Sequence, residues 1–249
     1  MRTLKLTIAY DGTRYAGWQV QRSHRSQPTI QGTLERVLQR ILRERVQVIG
    51  SGRTDAGVHA LAQSAHVKTR ATISCERFLR SANALLPSDI AVLRIEEVNK
   101  NFHARFSAKS KRYRYRMFTG AVVPPFIRSY VHHVRAPLNL ALMRRELAAL
   151  NGRHDFHAFA RVGSKRRSSI RSIHTVCLRR VGQELQLEVE GNGFLHTMVR
   201  SVAGTLIDIG RGRRPPGTIR RMLKSGARHL AGTTAPAKGL VLVSVGHAT

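Results

Sequence analysis

A ten-residue segment around position 55 contains the residues best suited to chemistry. It reads Gly-Ser-Gly-Arg-Thr-Asp-Ala-Gly-Val-His over 50–59. Its three glycines permit a tight, irregular backbone that can approach a ligand closely. Asp55 is the only acidic residue between Glu44 and Glu76, and Arg53 places a cation two residues before it. Such a cation favours the ionised carboxylate, which is the form that a nucleophile needs.

Two familiar Gly-rich loops do not fit this segment. A phosphate-binding loop needs a lysine after its last glycine, and 50–59 contains none. A dinucleotide-binding loop needs a third glycine where Asp55 stands and a helix after it, but no helical stripe follows. Spacing alone leaves three interpretations of Asp55 open: a turn cap, an acceptor for a cytosine amino group, and a nucleophile or base.

The charge of the chain indicates a polyanionic partner. It has 43 Lys and Arg residues against 14 Asp and Glu, a formal charge of +29, and the basic residues are spread along the whole length. That distribution argues against a basic tail on a neutral body. Nucleic acid is the leading partner and an anionic membrane is the alternative. No apolar run approaches the ~20 residues that span a bilayer.

Cysteine usage and the first residues suggest the compartment. Cys75 and Cys177 are isolated, which indicates neither a disulfide framework nor a zinc site. The chain enters a strand-like pattern at once, without the apolar stretch of a signal peptide. We expect a reducing, cytoplasmic location. His154 and His157 could suggest a metal pair, but no cysteine or further cluster of acids lies near them, so we expect no metal there.

The elements that must position Asp55 follow from hydrophobic periodicity. Alternation of Leu4, Leu6 and Ile8 predicts a strand over 3–10. Helical spacing predicts a helix over 30–44 with a basic ridge on its far face, either solvated or in contact with an RNA backbone. The ridge consists of Arg36, Arg40 and Arg43. The first half is completed by predicted strands over 46–49, 62–69 and 90–98 and a helix over 74–86.

The second half repeats this order of elements. We predict strands over 108–118, 170–180, 184–190 and 239–245, helices over 138–151 and 194–209, and a short extra helix from Pro215 and Pro216. In the first of these strands, Tyr113, Tyr115 and Met117 share one face, and Arg112, Arg114 and Arg116 share the other.

Two halves with one order of elements predict an α+β fold. We expect two ferredoxin-like β-α-β-β-α-β units side by side, forming an extended antiparallel sheet with a central active-site cleft. The N-terminal half, 1–105, would carry the catalytic loop, and 106–249 would form the C-terminal half. RNA-binding sheets use an open face of this kind to stack bases.

Residues 52–59 resemble the signature of the tRNA pseudouridine synthase A family. Further segments match the same family in the same order, from residue 6 to about 245. They are Tyr10-Asp11-Gly12 through Gly17-Trp18-Gln19, Asn83-Ala84-Leu85-Leu86-Pro87, Phe102-His103-Ala104-Arg105-Phe106-Ser107-Ala108, Lys111-Arg112-Tyr113-Arg114-Tyr115, Phe194-Leu195-His196-Thr197-Met198-Val199-Arg200 and Lys238-Gly239-Leu240. The stretch 160–180 carries a dense basic run that does not align.

The resemblance implies an isomerase that converts uridine to pseudouridine in the anticodon stem-loop of tRNA, at positions 38, 39 and 40. The N1–C1′ bond breaks, the uracil rotates, and a C5–C1′ bond forms. The family needs no cofactor and no metal. It works as a homodimer in which one tRNA contacts both subunits.

The resemblance also implies roles for matched residues. Asp55 stands at the catalytic aspartate, which attacks C1′ or C6 or abstracts a proton. Tyr113 stands at the tyrosine that stacks on an extruded uracil, although by itself it would read as an ordinary strand residue beneath helices. Arg53 contacts the target nucleotide, Arg200 pairs with the catalytic aspartate, and Leu240 lines the base pocket.

Other residues and other functions are weighed against this interpretation. We expect His59 and His66 to be structural or to face RNA. A non-catalytic RNA-binding protein fits the charge equally well, but has no reason to carry 52–59 intact. A base-flipping hydrolase would release free uracil. Two basic segments are expected to meet phosphates: 161–171 with Arg161, Lys165, Arg166, Arg167 and Arg171, and 211–214 with Arg211, Arg213 and Arg214.

Overall fold

The computed structural model of the protein describes residues 1–21, 27–161, 163 and 168–247. The chain divides into two compact units. Unit 1 comprises Met1–Lys109 and Leu242–Thr249, and unit 2 comprises Ser110–Val241. The last segment therefore returns to the first unit. A functional division into the halves 1–105 and 106–249 stays a prediction.

The predicted elements occur in the predicted order, although the strand predicted over 46–49 covers only Ile49–Gly50. Two further short strands, His132–His133 and Gly152–Asp155, were not predicted. In chain order the elements are β1 (Arg2–Tyr10), α1 (Ile30–Leu42), β2 (Ile49–Gly50), β3 (His59–Thr69), α2 (Cys75–Leu85), β4 (Ile90–Val98), β5 (Ala108–Phe118), β6 (His132–His133), α3 (Leu140–Leu147), β7 (Gly152–Asp155), β8 (Ile170–Val181), β9 (Glu184–Gly191), α4 (Met198–Gly210), α5 (Thr218–Ser225) and β10 (Leu240–His247).

In unit 1, β1 is the central strand of an antiparallel sheet. It pairs with β3 on one side and with β4 on the other, so that Leu6 lies opposite both Ala65 and Ile95. The short strand β2 pairs with β3, and β10 lies at the far side of β3. The predicted apolar face of β1 is buried, because alternate residues of a strand point to one side.

The two helices of unit 1 begin at side-chain caps. The hydroxyl of Thr29 accepts from the Gly32 N–H at the start of α1, and Ser74 accepts from the Arg77 N–H at the start of α2. Each cap satisfies a backbone donor that has no partner within the helix. Helix α1 buries Leu34 and Leu38 completely.

In unit 2, the sheet runs in the order β5, β9, β8 and β7, with antiparallel pairing throughout. The two-residue strand β6 pairs with β5 in parallel, a local departure from the antiparallel sheet that we expected. The buried carboxylate of Glu146 in α3 accepts from the N–H groups of Gly217 and Ile219 at 2.5 and 3.3 Å. It therefore caps α5 from another helix.

The α+β fold class is confirmed. The helix predicted over 194–209 starts later than expected, at Met198. Thr197 has a φ of 63°, and the Met198 N–H closes a turn on the carbonyl of Leu195. This left-handed residue cannot continue a right-handed helix towards Phe194.

None of the helices in the described part of the chain combines the length and the apolar composition that crossing a membrane requires.

Candidate active site

The loop 51–58 connects β2 to β3, and buried polar groups hold its beginning. The Ser51 hydroxyl donates to Gln63 Oε1 at 2.7 Å, and Gln63 Nε2 donates to the carbonyl of Gly52 at 3.1 Å. Ser51 and Gln63 are both completely buried. Since unpaired polar groups are costly in the interior, these bonds fix the path of the loop as it leaves β2.

The middle of the loop is held by residues from β1 and from the segment that follows it. The hydroxyl groups of Thr54 and Tyr10 lie 2.8 Å apart in the interior. The Trp18 N–H donates to the carbonyl of Thr54 at 3.1 Å. The indole of Trp18 packs on Gly50, where an added Cβ would lie 2.6 Å from the ring. The residue before Asp55 is thus fixed on both its side chain and its backbone.

Gly12 and Gly17 allow backbone to pack directly on this loop. A Cβ on Gly12 would collide with the carbonyl of Val58. Gly17 has a φ of +92°, and a Cβ there would lie 2.6 Å from the Thr54 oxygen and 3.0 Å from the carbonyl carbon of Asp55. Only glycine combines that φ with so close an approach. Both glycines stand in a segment that resembles the family, but the structural reason for them appears only in the fold.

Asp55 occupies the first position of a tight turn. The Val58 N–H donates to the Asp55 carbonyl at 3.2 Å, and Gly57 has a φ of 75°, as the third position of a type II turn requires. The Asp55 side chain is half-buried, and Arg53 is exposed. The structure therefore places this carboxylate and this guanidinium on one loop whose backbone is fixed on both sides of Asp55.

The Arg53 side chain is oriented by a glutamine. Arg53 Nε donates to Gln19 Oε1 at 3.0 Å. This bond uses Nε, so the terminal nitrogens that make two-pronged contacts with phosphates or base edges are not used by Gln19.

Two buried histidines belong to the framework of unit 1. His59 Nδ1 accepts from the Gly12 N–H at 3.1 Å. His66 Nδ1 accepts from the Ala104 N–H at 3.1 Å, and its ring also bonds with the Ile49 backbone. Burial, together with the nearby His103 and Lys68, lowers the pKa of His66 to about 4. A neutral imidazole that donates at one nitrogen and accepts at the other suits this place.

Tyr113 lies on the buried face of the unit 2 sheet. It pairs in register with Val189, and Tyr113, Tyr115 and Met117 are all buried. The Tyr113 ring meets the ring of Phe194 edge-on, with centroids 5.0 Å apart. Tyr113 itself is 7% exposed. The ring of Tyr113 therefore belongs to the buried face of β5, together with Tyr115 and Met117.

The arginines on the other face of β5 have acidic partners on β9. Their nearest nitrogen–oxygen distances are 2.6–2.7 Å. The pairs are Arg112–Glu190, Arg114–Glu188 and Arg116–Glu184. These contacts lower the pKa values of Glu184 and Glu190. This face is consequently an ion-pair ladder, in which the positive charge is largely compensated.

Arg200 and Leu240 are positioned by one segment of unit 2. Arg200 Nε donates to the carbonyl of Ala235 at 2.8 Å, and the Ala235 N–H donates back to the Arg200 carbonyl at 3.1 Å. Gly204 makes room for this segment, since a Cβ there would collide with the carbonyl of Thr233. Leu240 follows the segment and is buried.

Tyr115 supports the same segment, and sequence reasoning gave it no role. Its hydroxyl donates to the carbonyl of Pro236 at 2.9 Å, and Gly239 packs against its ring. Burial raises the pKa of Tyr115, so the hydroxyl keeps the proton that it donates. The alternation of β5 predicted its burial but could not indicate this partner.

Of the predicted phosphate contacts, Lys165, Arg166 and Arg167 lie outside the described residues. Arg161 and Arg213 are exposed. Arg171 Nη1 donates to the Ile170 carbonyl at 2.6 Å, and Arg214 Nη2 donates to the Ala231 carbonyl at 3.0 Å. These last two arginines support the fold locally, whatever else they contact.

The His154 and His157 region makes local hydrogen bonds. His154 Nε2 lies 2.7 Å from the carbonyl of Asn151, and Asp155 accepts from the His157 N–H at 2.8 Å. Within the residues that the structure describes, no group of three or more His, Cys, Asp or Glu side chains is arranged to hold a metal ion.

The fold and the loop define a class of protein: a strongly basic α+β protein with an aspartate and an arginine on one anchored loop, a combination that suits a nucleic-acid-modifying enzyme. The family model described as tRNA pseudouridine synthase matches residues 6–107 and 147–247. The chain belongs to the tRNA pseudouridine synthase family.

Individual relatives agree with this assignment. The tRNA pseudouridine synthase A of Halalkalibacterium halodurans is 43% identical over 242 residues, which cover 97% of this chain and 91% of that protein. The protein of the same name from Moorella thermoacetica is 44% identical over 245 residues, which cover 98% of this chain and 99% of that protein.

A solved structure described as a Cbf5–Nop10–Gar1 complex contains a chain that aligns with a TM-score of 0.38 and 14% identity. The alignment covers 96% of this chain and 49% of that one, so this chain spans about half its length. A likeness this weak supports no inference.

Proposed function

We propose that this chain isomerises uridine to pseudouridine at positions 38, 39 and 40 of the tRNA anticodon stem-loop. Membership of the tRNA pseudouridine synthase family is the observation that carries the proposal. The N1–C1′ bond breaks and a C5–C1′ bond forms, while C5 loses a proton and N1 gains one. Substrate and product are isomers, so the reaction consumes no oxidant, reductant or second substrate, and we propose that it uses no cofactor or metal.

Asp55 is the proposed catalytic residue. Its loop is anchored through Ser51, Thr54 and Val58, and a reacting group benefits when its position is fixed before the substrate arrives. Its carboxylate attacks C1′ of the ribose or C6 of the uracil, or abstracts a proton. All three routes use the ionised form of the carboxylate.

The remaining site residues bind and orient the target nucleotide in this proposal. Arg53 contacts the nucleotide and holds its base out of the helix. Tyr113 stacks on the extruded uracil, Leu240 lines the base pocket, and Arg200 pairs with the catalytic aspartate. A base must leave its stack before an enzyme can rearrange its glycosidic bond.

The net charge of +29 suits a tRNA substrate, because neutralised phosphates release counterions on binding. We further propose that the enzyme is a cytoplasmic homodimer in which one tRNA contacts both subunits. Sedimentation of the free protein at several concentrations tests the dimer, and a monomer at micromolar concentration would contradict it.

Mapping of pseudouridine on unmodified tRNA tests the reaction. Wild-type protein should generate primer-extension stops after chemical labelling at positions 38, 39 and 40, and Asp55→Asn should generate none. We expect Asp55→Asn to reduce turnover at least about a thousandfold. Its tRNA affinity should stay close to wild type, because phosphate contacts dominate binding.

The same reaction mixture distinguishes the competing functions. A hydrolase that cleaves the N1–C1′ bond would release free uracil, which chromatography detects. A pure RNA-binding protein would yield neither uracil nor pseudouridine. Turnover near the wild-type rate in Asp55→Asn would remove Asp55 from the mechanism without removing the isomerase activity.

A further inference from the structure

We infer that Gln19, Gln31 and Glu35 form a hydrogen-bond relay that positions the guanidinium of Arg53 for the target nucleotide. This inference rests on the proposed function, in which Arg53 holds the base out of the helix. The three residues act through Arg53 and are therefore positioning residues. Gln31 and Glu35 lie on α1, far from the loop in sequence.

The relay is continuous from the loop to the helix. Arg53 Nε donates to Gln19 Oε1 at 3.0 Å, and Gln19 Nε2 donates to Gln31 Oε1 at 2.6 Å. Gln31 Nε2 then donates to Glu35 Oε1 at 2.9 Å. Each side chain in the series therefore donates to the next one, from the cation to the carboxylate.

The chemistry of the two ends fixes the direction of every bond. Arginine can only donate and an ionised glutamate can only accept, so both amides must point their oxygens towards Arg53 and their nitrogens towards Glu35. The Val20 N–H donates to Gln31 Oε1 at 3.1 Å, which independently sets the orientation of that amide. A chain of aligned dipoles between opposite charges strengthens each of its bonds.

The relay also reaches the backbone just before β2, the strand that leads into the Arg53 loop. Glu35 Oε1 accepts from the Val48 N–H at 2.9 Å, immediately before β2. Helix α1 thus holds the backbone that enters the loop and, through Gln31 and Gln19, the side chain of Arg53.

A purely structural role does not account for the whole arrangement. Gln31 is 5% exposed, and its amide accepts from the Val20 N–H and donates to Glu35. Gln31 therefore has hydrogen-bond partners without Gln19. Gln19 nevertheless extends the series of bonds to an exposed arginine. Holding Arg53 by Nε leaves its fork of terminal nitrogens for a ligand, an arrangement that suits nucleotide recognition.

Turnover at saturating tRNA tests the relay. Gln19→Ala and Gln31→Leu should each lower kcat about ten- to hundredfold, the range for losing a charge-assisted bond. The Kd for tRNA should change less than about threefold, since one oriented arginine contributes little beside many phosphate contacts. Gln19 is only half-buried, so Gln19→Ala keeps the test usable if Gln31→Leu does not fold.

A double-mutant cycle separates positioning from stability. In an Arg53→Ala background, Gln19→Ala and Gln31→Leu should cause no further loss of kcat, because residues that act through one group are not additive. Gln39→Leu is the matched control, since Gln39 lies on the same helix and donates to the Val46 carbonyl at 3.2 Å outside the relay. It should keep the wild-type kcat.

Three outcomes would overturn the relay: wild-type kcat in both glutamine variants, losses that multiply with Arg53→Ala, or an equal loss in Gln39→Leu. In each of these, wild-type protein still forms pseudouridine, so the proposed function survives. If wild-type protein forms no pseudouridine, the proposed function itself fails, and the relay as a catalytic device fails with it.

Discussion

The Asp55 loop of unit 1 and the Tyr113 region of unit 2 hold their candidate residues by different means. Asp55 and Arg53 lie in irregular backbone that is fixed by polar side chains from other segments. Tyr113 and Arg200 lie in a strand and a helix. Within the described part of the chain, most buried polar side chains belong to unit 1, whereas those of unit 2 are Glu146, Ser201, Thr205 and Thr218.

This difference determines where small changes have large consequences. A strand or helix satisfies its own backbone groups, so its side chains depend mainly on packing. An irregular loop depends on each outside partner, because those partners supply the hydrogen bonds that regular structure would otherwise provide. We therefore expect unit 2 to tolerate changes that preserve shape and unit 1 to respond to the loss of single contacts.

After Asp55→Asn, the largest expected effect is at Tyr113, whose ring is both packed in the interior and proposed to stack on the substrate base. Tyr113→Ala should lower turnover at least about a hundredfold, because stacking contributes ~1–3 kcal/mol per base and the buried ring is also lost. Tyr113→Phe keeps the ring and should stay within about tenfold of wild type. Turnover is measured per folded protein by quantitative labelling. Equal losses in both variants would assign the essential role to the hydroxyl and contradict stacking.

The next effect concerns Gly17, where backbone packs on the Asp55 loop. Gly17→Ala should lower kcat about tenfold or more, because even small displacements of a reacting group are expensive. Gly182→Ala is the control: Gly182 also has a positive φ, +57°, but nothing lies within 4 Å of an added Cβ. Backbone strain should reduce its stability by about 1 kcal/mol and leave kcat unchanged.

Both glycine variants need urea unfolding curves beside the kinetic measurements. If Gly17→Ala and Gly182→Ala lose kcat in proportion to their stability, close contact with the loop is not the cause.

Acid should destabilise unit 1 through His66. The pKa of His66 is about 4 in the folded chain, below the ordinary value of 6.5 for an exposed histidine. The unfolded chain binds the proton first, so stability is complete above about pH 6.5 and falls as the pH drops towards 4. His66 alone should lower the free energy of unfolding by about 2 kcal/mol between pH 7 and pH 5.

Urea unfolding at pH 7 and pH 5 measures this change. His66→Gln should reduce the pH dependence of the free energy of unfolding. His229→Gln, which replaces an exposed histidine, should leave that dependence as in wild type. His132 of unit 2 also has a pKa lowered by burial and adds a dependence of the same sign. An unchanged pH dependence in His66→Gln would contradict the assignment to unit 1.

The smallest expected effect separates two sets of arginines. Arg36 and Arg40 on α1 are exposed, and no ion pair involves them among the residues with described positions, while Arg112 pairs with Glu190. Arg36→Gln with Arg40→Gln should reduce the slope of log K against log salt for tRNA by about 2, if both meet phosphates. Arg112→Gln with Glu190→Gln should leave the slope unchanged. If both double variants gave the same slope of log K against log salt, the basic ridge of α1 would contact solvent and not phosphates.

Local pattern predicted most of the regular structure. The alternation of Leu4, Leu6 and Ile8 marked β1 within one residue, and the stripe of α1 marked its start at Ile30. Such periodicity reflects one face turned to a core, so it can be read without knowing what lies opposite. The start of α4 was wrong by four residues, because the apolar residues before Met198 pack without being helical.

The residues of the candidate site could be predicted only in part from the sequence. Asp55 and Arg53 stand in a segment unusual enough to be singled out, whereas Tyr113 and Arg200 look like ordinary strand and helix residues. Their proposed roles came from the resemblance to a family. Gln19 and Tyr115 stand in segments that resemble the family but were given no role, and Gln31 was not singled out, because glutamines in helices and tyrosines in strands are common.

The sequence by itself determined the charge, the order of the elements, the α+β class and the family of this protein. Tertiary structure alone decided what holds the Asp55 loop. The Tyr10 hydroxyl bonds with that of Thr54, 44 residues away, and Gly17 packs against the loop backbone. The hydrogen-bond series from Arg53 to Glu35 holds the Arg53 side chain. The reason is physical. Periodicity and composition record each segment's own preference for burial, while these contacts depend on which distant segments the fold places side by side.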